Sequence, residues 1–142
     1  MVIVVDASIV VKVFVAEPDS ADAVVALRKV EIRVAPDLIL LEAANALSKI
    51  WRRGIISAEQ MDFSLGRLPA FIPTLYPTRD LIADAAVLSR TLRHPVPDCI
   101  YAVLASRLDT PMLTADAAFA KALARDPAWR HLVILLRDFD RA

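Results

Sequence analysis

Short β-branched apolar runs alternate with longer helical segments along this chain, and no other feature restricts the fold as much. Val2–Val5 reads as a buried strand and Ile32–Ala35 as a second. Phe71–Tyr76 reads as a third, which Pro73 confines to a sheet edge. Met112–Thr114 and Leu132–Leu136 are the fourth and fifth. Between them, Ile9–Val15 predicts a brief helix, and Ser20 caps another over Ala21–Lys29. A helix over Leu38–Arg53 stops at Gly54, and Ser57-Ala58-Glu59-Gln60 is a capping box that opens the next. Asp80–Leu92 is helical until Pro95–Pro97 breaks it. Asp98 caps a helix to about Leu108, and Ala117–Arg125 is the last. Such alternation predicts an α/β fold, a parallel sheet covered on both faces.

Composition bounds what such a fold can be. The 142 residues suit one domain, with enough chain to bury a core without disulfides or structural metal. Hydrophobic residues make up 57% of the chain, a surplus that fits a doubly covered sheet or an apolar surface kept for a partner. No apolar stretch is long enough to span a membrane. No positive region precedes the first apolar run, so no signal peptide is expected. Cys99 is the only cysteine, and a reducing cytoplasm is the expected compartment. Seventeen basic residues balance seventeen acidic ones, so nucleic-acid binding would need segregated patches of charge.

The acids are not scattered with respect to the strands. In a parallel sheet with crossover helices, each helix starts at the carboxyl edge, where ligands bind. Asp6 ends the first strand, and Glu42 lies early in the helix after the second. Asp98 stands at the head of a helix leading to the fourth strand, and Asp116 ends that strand. Asp6, Asp98 and Asp116 each have a plain alternative as helix caps. Glu42, set within LILLEAANAL, has one as a hydrogen-bond or ion-pair partner of Asn45 or Lys49. Four carboxylates at one edge repel, and a divalent cation removes the conflict. Oxygen donors suit Mg²⁺ or Mn²⁺. With no cysteine cluster and only His94 and His131, a zinc site is not expected.

The segments VVDASIVVKVFVAEP, PDLILLEAANALSKIWRRGIIS, VPDCIYAVLA and MLTADAAFAKAL carry a further reading. In order and spacing they resemble the four acidic motifs of PIN-domain ribonucleases, in particular the VapC-like toxins of type II toxin–antitoxin systems. The resemblance spans nearly the whole chain and implies a three-layer α/β/α fold with a central, mostly parallel sheet, a single domain over residues 1–142. Asp6, Glu42, Asp98 and Asp116 match the catalytic acids. Asp6 and Asp98 are the expected direct metal ligands; Glu42 and Asp116 would serve a second ion or orient water. Asn45 and Thr114 match positions that hydrogen-bond the acids; Ser8 is a further candidate for that role, with a plain alternative as a helix N-cap. The resemblance further implies a Mg²⁺- or Mn²⁺-dependent endoribonuclease leaving a 5′ phosphate and a 3′ hydroxyl. It also implies a homodimer and neutralisation by a VapB-like antitoxin.

RNA must approach an acidic edge, so cations near it are of interest. Lys12, Lys49, Arg52 and Arg53 are the phosphate-contact candidates, with Arg90 and Arg93 behind them. Arg52 and Arg53 have an alternative role, since cations at a helix C-terminus are stabilising without any ligand. Tyr101, Trp51 and Trp129 can stack on bases, although helical spacing favours core or interface. Met61, Phe63 and Leu65 are candidates for a dimer surface, and the helices over Ala21–Arg53 for an apolar face that takes an antitoxin helix or a second copy. The rival from another class is a non-catalytic PIN scaffold acting through protein contacts. A D-x-D phosphatase motif, the paired early acids of a receiver domain and G-x-G-x-x-G or Walker A loops are all missing.

Overall fold

The computed structural model describes residues 1–142. Five strands form one sheet: β1 (Val2–Val5), β2 (Ile32–Pro36), β3 (Thr74–Tyr76), β4 (Met112–Thr114) and β5 (Val133–Leu135). Their order is β3-β2-β1-β4-β5, and every neighbouring pair is parallel. The expectation of a mostly parallel sheet is met by a wholly parallel one. The chain leaves β1 for β2 on one side and returns to place β4 on the other. The connections therefore diverge between β1 and β4, and the crevice at their carboxyl ends is the usual ligand site of such sheets.

Helices lie on both sides of the sheet. They are α1 (Ala7–Phe14), α2 (Ser20–Arg28), α3 (Leu38–Arg52), α4 (Ala58–Phe71), α5 (Ile82–Leu92), α6 (Val96–Arg107) and α7 (Ala117–Ala124). α6 packs across β1, β2 and β4, with α5 laid against it. All seven residues from Cys99 to Ala105 are buried, as a helix covered on every side requires. α1 packs against α2 and α3, and α3 pairs with α4. Ile3, Val4, Val5, Ile9, Met112, Leu113 and Tyr101 are almost completely buried in a core shared by both layers.

Several boundaries differ from the sequence reading, each for a local reason. The first helix begins at Ala7, directly after Asp6, not at Ile9. Ser20 is not a cap: its hydroxyl donates to the Val15 carbonyl and accepts from the Glu17 N–H, tying the α1–α2 turn together. The third strand shrinks to Thr74–Tyr76 because α4 carries through Pro69 to Phe71; it does lie at the sheet edge. Asp98 does not cap its helix either. α6 starts at Val96, and Pro97 occupies a first-turn position where its missing N–H costs nothing, so Asp98 is the third helical residue. The Ser57/Gln60 capping box forms with both of its hydrogen bonds.

Candidate functional site

Asp6 is the last residue before the chain turns from β1 into α1, and it is nearly buried. Two hydroxyls converge on its Oδ2. Ser8 Oγ donates at 2.6 Å and Thr114 Oγ1 at 2.8 Å, and neither hydroxyl engages Oδ1. Each also accepts: Ser8 Oγ from the Ala115 N–H at 3.0 Å and Thr114 Oγ1 from the Asp116 N–H at 3.0 Å. The ends of β1 and β4 are thus stitched together around one carboxylate. Burial pushes the Asp6 carboxyl above its ordinary range. The two hydroxyls oppose this, and the nearby Asp98 charge adds to it.

Asp116 does cap α7, as read from the sequence: its Oδ1 accepts from the Phe119 N–H at 3.0 Å. Asp98, from the first turn of α6, meets His94 instead of a backbone N–H. His94 Nε2 and Asp98 Oδ2 are 2.6 Å apart. Donor atoms of His94, Asp98 and Asp116 all lie within 4.8 Å of one another. The tightest grouping therefore pairs Asp98 with Asp116 and a histidine, where the sequence reading paired Asp98 with Asp6. Sequence reasoning counted His94 only in setting zinc aside. Its place four residues before Asp98 was the signal that could have found it.

Glu42, the fifth residue of α3, reaches neither Asn45 nor Lys49. Its Oε1 is buried without a hydrogen-bond partner. Burial first, and then the charges of Asp6 and Asp98, push this carboxyl above its ordinary range, opposed by the Tyr101 hydroxyl. Tyr101 is wholly buried, and its phenol is driven far upward by burial and by the Asp6 and Glu42 charges. Its hydroxyl is near enough to Glu42 to bear on its protonation, yet the two do not meet in hydrogen-bond geometry. Tyr101 is part of the site's floor and has no face free to stack on a base. Asn45 is exposed and hydrogen-bonds none of the acids, against the expectation from its motif position.

The four acids thus gather at the β1/β4 crevice around Asp98, whose charge bears on both Asp6 and Glu42 and whose oxygens neighbour Asp116. The donors fit a divalent ion. They are mostly carboxylate oxygens, one of them a buried atom with no protein partner, and burial, with mutual repulsion behind it, raises the proton affinity of two members. Cys99, beside Asp98, is no ligand: burial and the Asp98 charge push its thiol up to about 11.

The candidate cations fall into two groups. Lys12 is committed, its ammonium 3.1 Å from Glu17 and 3.4 Å from Asp19. Lys49, Arg52 and Arg53, at the far end of α3, are exposed and form no ion pair, as are Arg90 and Arg93 around the end of α5. Trp51 is partly exposed, and Trp129 is half-buried against the core.

Comparison with known proteins identifies the family. The model of the PIN domain family matches residues 3–123. Ribonuclease VapC1 of Mycobacterium tuberculosis, in strains CDC 1551 / Oshkosh and ATCC 25618 / H37Rv, is 36% identical over 121 residues, covering 84% of this chain and 89% of the relative. Ribonuclease VapC3 of Pyrobaculum aerophilum is 31% identical over 125 residues, covering 85% of this chain and 94% of the relative. The matched residues include all four acids and the β1/β4 crevice that gathers them, and the chain belongs to the PIN-domain family, among its VapC-like members.

Proposed function

We propose that this chain is a metal-dependent endoribonuclease of the VapC toxin type, with Asp6, Glu42, Asp98 and Asp116 as its catalytic acids. The observation that carries the reading is the convergence of these acids at the β1/β4 crevice, with the buried Glu42 Oε1 left unpartnered. A divalent ion, Mg²⁺ or Mn²⁺, held there would lower the pKa of an attacking water and offset charge that builds on the phosphate oxygens. The protein's part is placement. Ser8 and Thr114 hold Asp6 Oδ2 from two sides, so the carboxylate keeps one orientation and presents Oδ1 as a donor. Asp98 and Asp116 supply oxygens from the first turn of α6 and the cap of α7. Glu42, whose Oε1 has no protein partner, would serve a second ion or orient the attacking water. Lys49, Arg52 and Arg53 give the RNA backbone phosphate contacts.

Residues 1–142 act as one PIN unit on this reading, because β5 lies beyond the matched residues yet pairs with β4. The likeness to VapC-type toxins supports a partner as well: a VapB-like antitoxin is the proposed inhibitor of this activity in a cytoplasmic setting. The exposed Phe63 on α4, flanked by Met61 and Leu65, is the proposed contact with a second copy in a homodimer.

The test uses a mixed RNA pool with Mg²⁺, Mn²⁺ or EDTA. Cleavage in the metal arms should leave 5′-phosphate ends, stop in EDTA, and fall on the order of 10²–10³-fold in Asp98→Asn. Cleavage that is equal with and without EDTA, or unchanged in Asp98→Asn, would remove the metal mechanism. Absence of metal binding to the wild type would return the chain to the scaffold reading.

A further inference from the structure

His94 sits in the turn between α5 and α6, and several contacts fix it there. Arg93 takes a left-handed backbone (φ 52°) that ends α5, and Ser89 Oγ donates to the His94 carbonyl. The imidazole lies against the Phe119 ring, with centroids 4.6 Å apart, and its side chain is only 16% exposed. Phe119 also gives the N–H that holds Asp116 Oδ1, so one residue locates both the histidine and that aspartate. Nε2 is the nitrogen on the Asp98 side, 2.6 Å from Oδ2. The three donors within 4.8 Å of one another are therefore a nitrogen and two carboxylate oxygens, with His94 and Asp116 both located by Phe119 and Asp98 carried on the first turn of α6.

We infer that His94 Nε2 is a ligand of the metal centre, completing with Asp98 and Asp116 a mixed nitrogen–oxygen site for a divalent transition ion. This rests on the metal-dependent reading above and deepens it by naming the class of ion. Mg²⁺ is hard, favours oxygen and keeps its waters, and gains little from an imidazole. Mn²⁺ and Co²⁺ accept imidazole beside carboxylates, with affinity rising from Mn²⁺ to Co²⁺. The centre accordingly favours these ions over Mg²⁺. Glutamine separates ligation from mere orientation of Asp98. Its amide can still donate a hydrogen bond to that carboxylate but offers no nitrogen lone pair to a metal.

The experiment uses the full, untagged chain. Pulsed electron paramagnetic resonance of the Mn²⁺-loaded protein should show ¹⁴N coupling from a bound imidazole. That coupling should vanish in His94→Gln and persist in His131→Gln, whose ring is exposed on the turn before β5. Calorimetric titrations should show Mn²⁺ and Co²⁺ binding weakened about 10- to 100-fold in His94→Gln, with Mg²⁺ binding changed less than about threefold. Absence of nitrogen coupling in the Mn²⁺-loaded wild type, or equal weakening of all three ions, overturns the inference. RNA cleavage that depends on Asp98 without nitrogen coupling leaves the nuclease reading intact and removes His94. Nitrogen coupling without RNA cleavage under any ion does the reverse. Failure of every ion to bind sinks both.

Discussion

Asp6 shows how much one buried carboxylate asks of its neighbours. Two hydroxyls, Ser8 from α1 and Thr114 from β4, are spent on one of its oxygens, and burial still holds its carboxyl above the ordinary range. A group that binds its proton more tightly in the folded state stabilises the fold fully below its unfolded value of 3.8. That contribution is lost as pH rises through the raised folded value. Glu42 is shifted in the same direction, so in the absence of metal both acids weigh against the fold at neutral pH. In chelator, Asp6→Asn, which keeps an acceptor for both hydroxyls, should melt higher than wild type at pH 7. A domain of this size gains about 2–5 °C per kcal/mol. The advantage should shrink as the pH is lowered toward 3.8. Scanning calorimetry at several pH values checks this, and an equal or lower melting point at pH 7 contradicts it. Thr114→Val should move the other way. It strips a donor from Asp6 and an acceptor from the Asp116 N–H, and should cost about 1–3 kcal/mol by denaturant midpoint.

At the scale of elements, α3 carries two different signals at its end. Gly54 has φ +74°, and a Cβ there would meet nothing within 4 Å. Gly54→Ala is therefore penalised by backbone conformation alone, by about 1 kcal/mol. Gly66 lies inside α4, also with open space around it, so Gly66→Ala should stabilise by about 0.5–1 kcal/mol. The pair of opposite signs is read from urea midpoints, and a shared sign would refute it. Arg52 and Arg53 complement the helix dipole at that same end. If they also bind phosphate, Arg52→Ala with Arg53→Ala should weaken RNA binding and lower the slope of affinity against salt by about one per residue. An unchanged slope would assign them to helix stability alone. The last-turn cations and the glycine stop were legible because they act within one turn of chain. The start of α6 was misread because two prolines can break a helix or open one, and only the packing of the preceding turn decides which.

For the whole molecule, strand order matters more than strand identity. With β1 between β2 and β4, Asp6 and Thr114 become neighbours although 108 positions apart. On and beside α3 and α4, Leu41, Ile55 and Phe63 are each more than 60% exposed. On the homodimer reading, Phe63→Glu should shift the light-scattering mass from dimer to monomer while leaving the circular dichroism unchanged. A wild type that is monomeric at high concentration would remove that reading.

The chain's own pattern determines the alternation of strands and helices, the caps at Ser57 and Asp116 and the presence of an acid at the close of β1 and β4. These features depend on residues a few positions apart, where backbone preference and periodicity operate. Tertiary structure decides the rest. It places Tyr101 under the acids instead of on a surface, turns Asn45 to solvent, engages Lys12 with Glu17 and Asp19, and swings His94 onto Asp98. Each of these is set by which side chains burial forces together, and burial is a property of the packed layers that no short stretch of sequence contains.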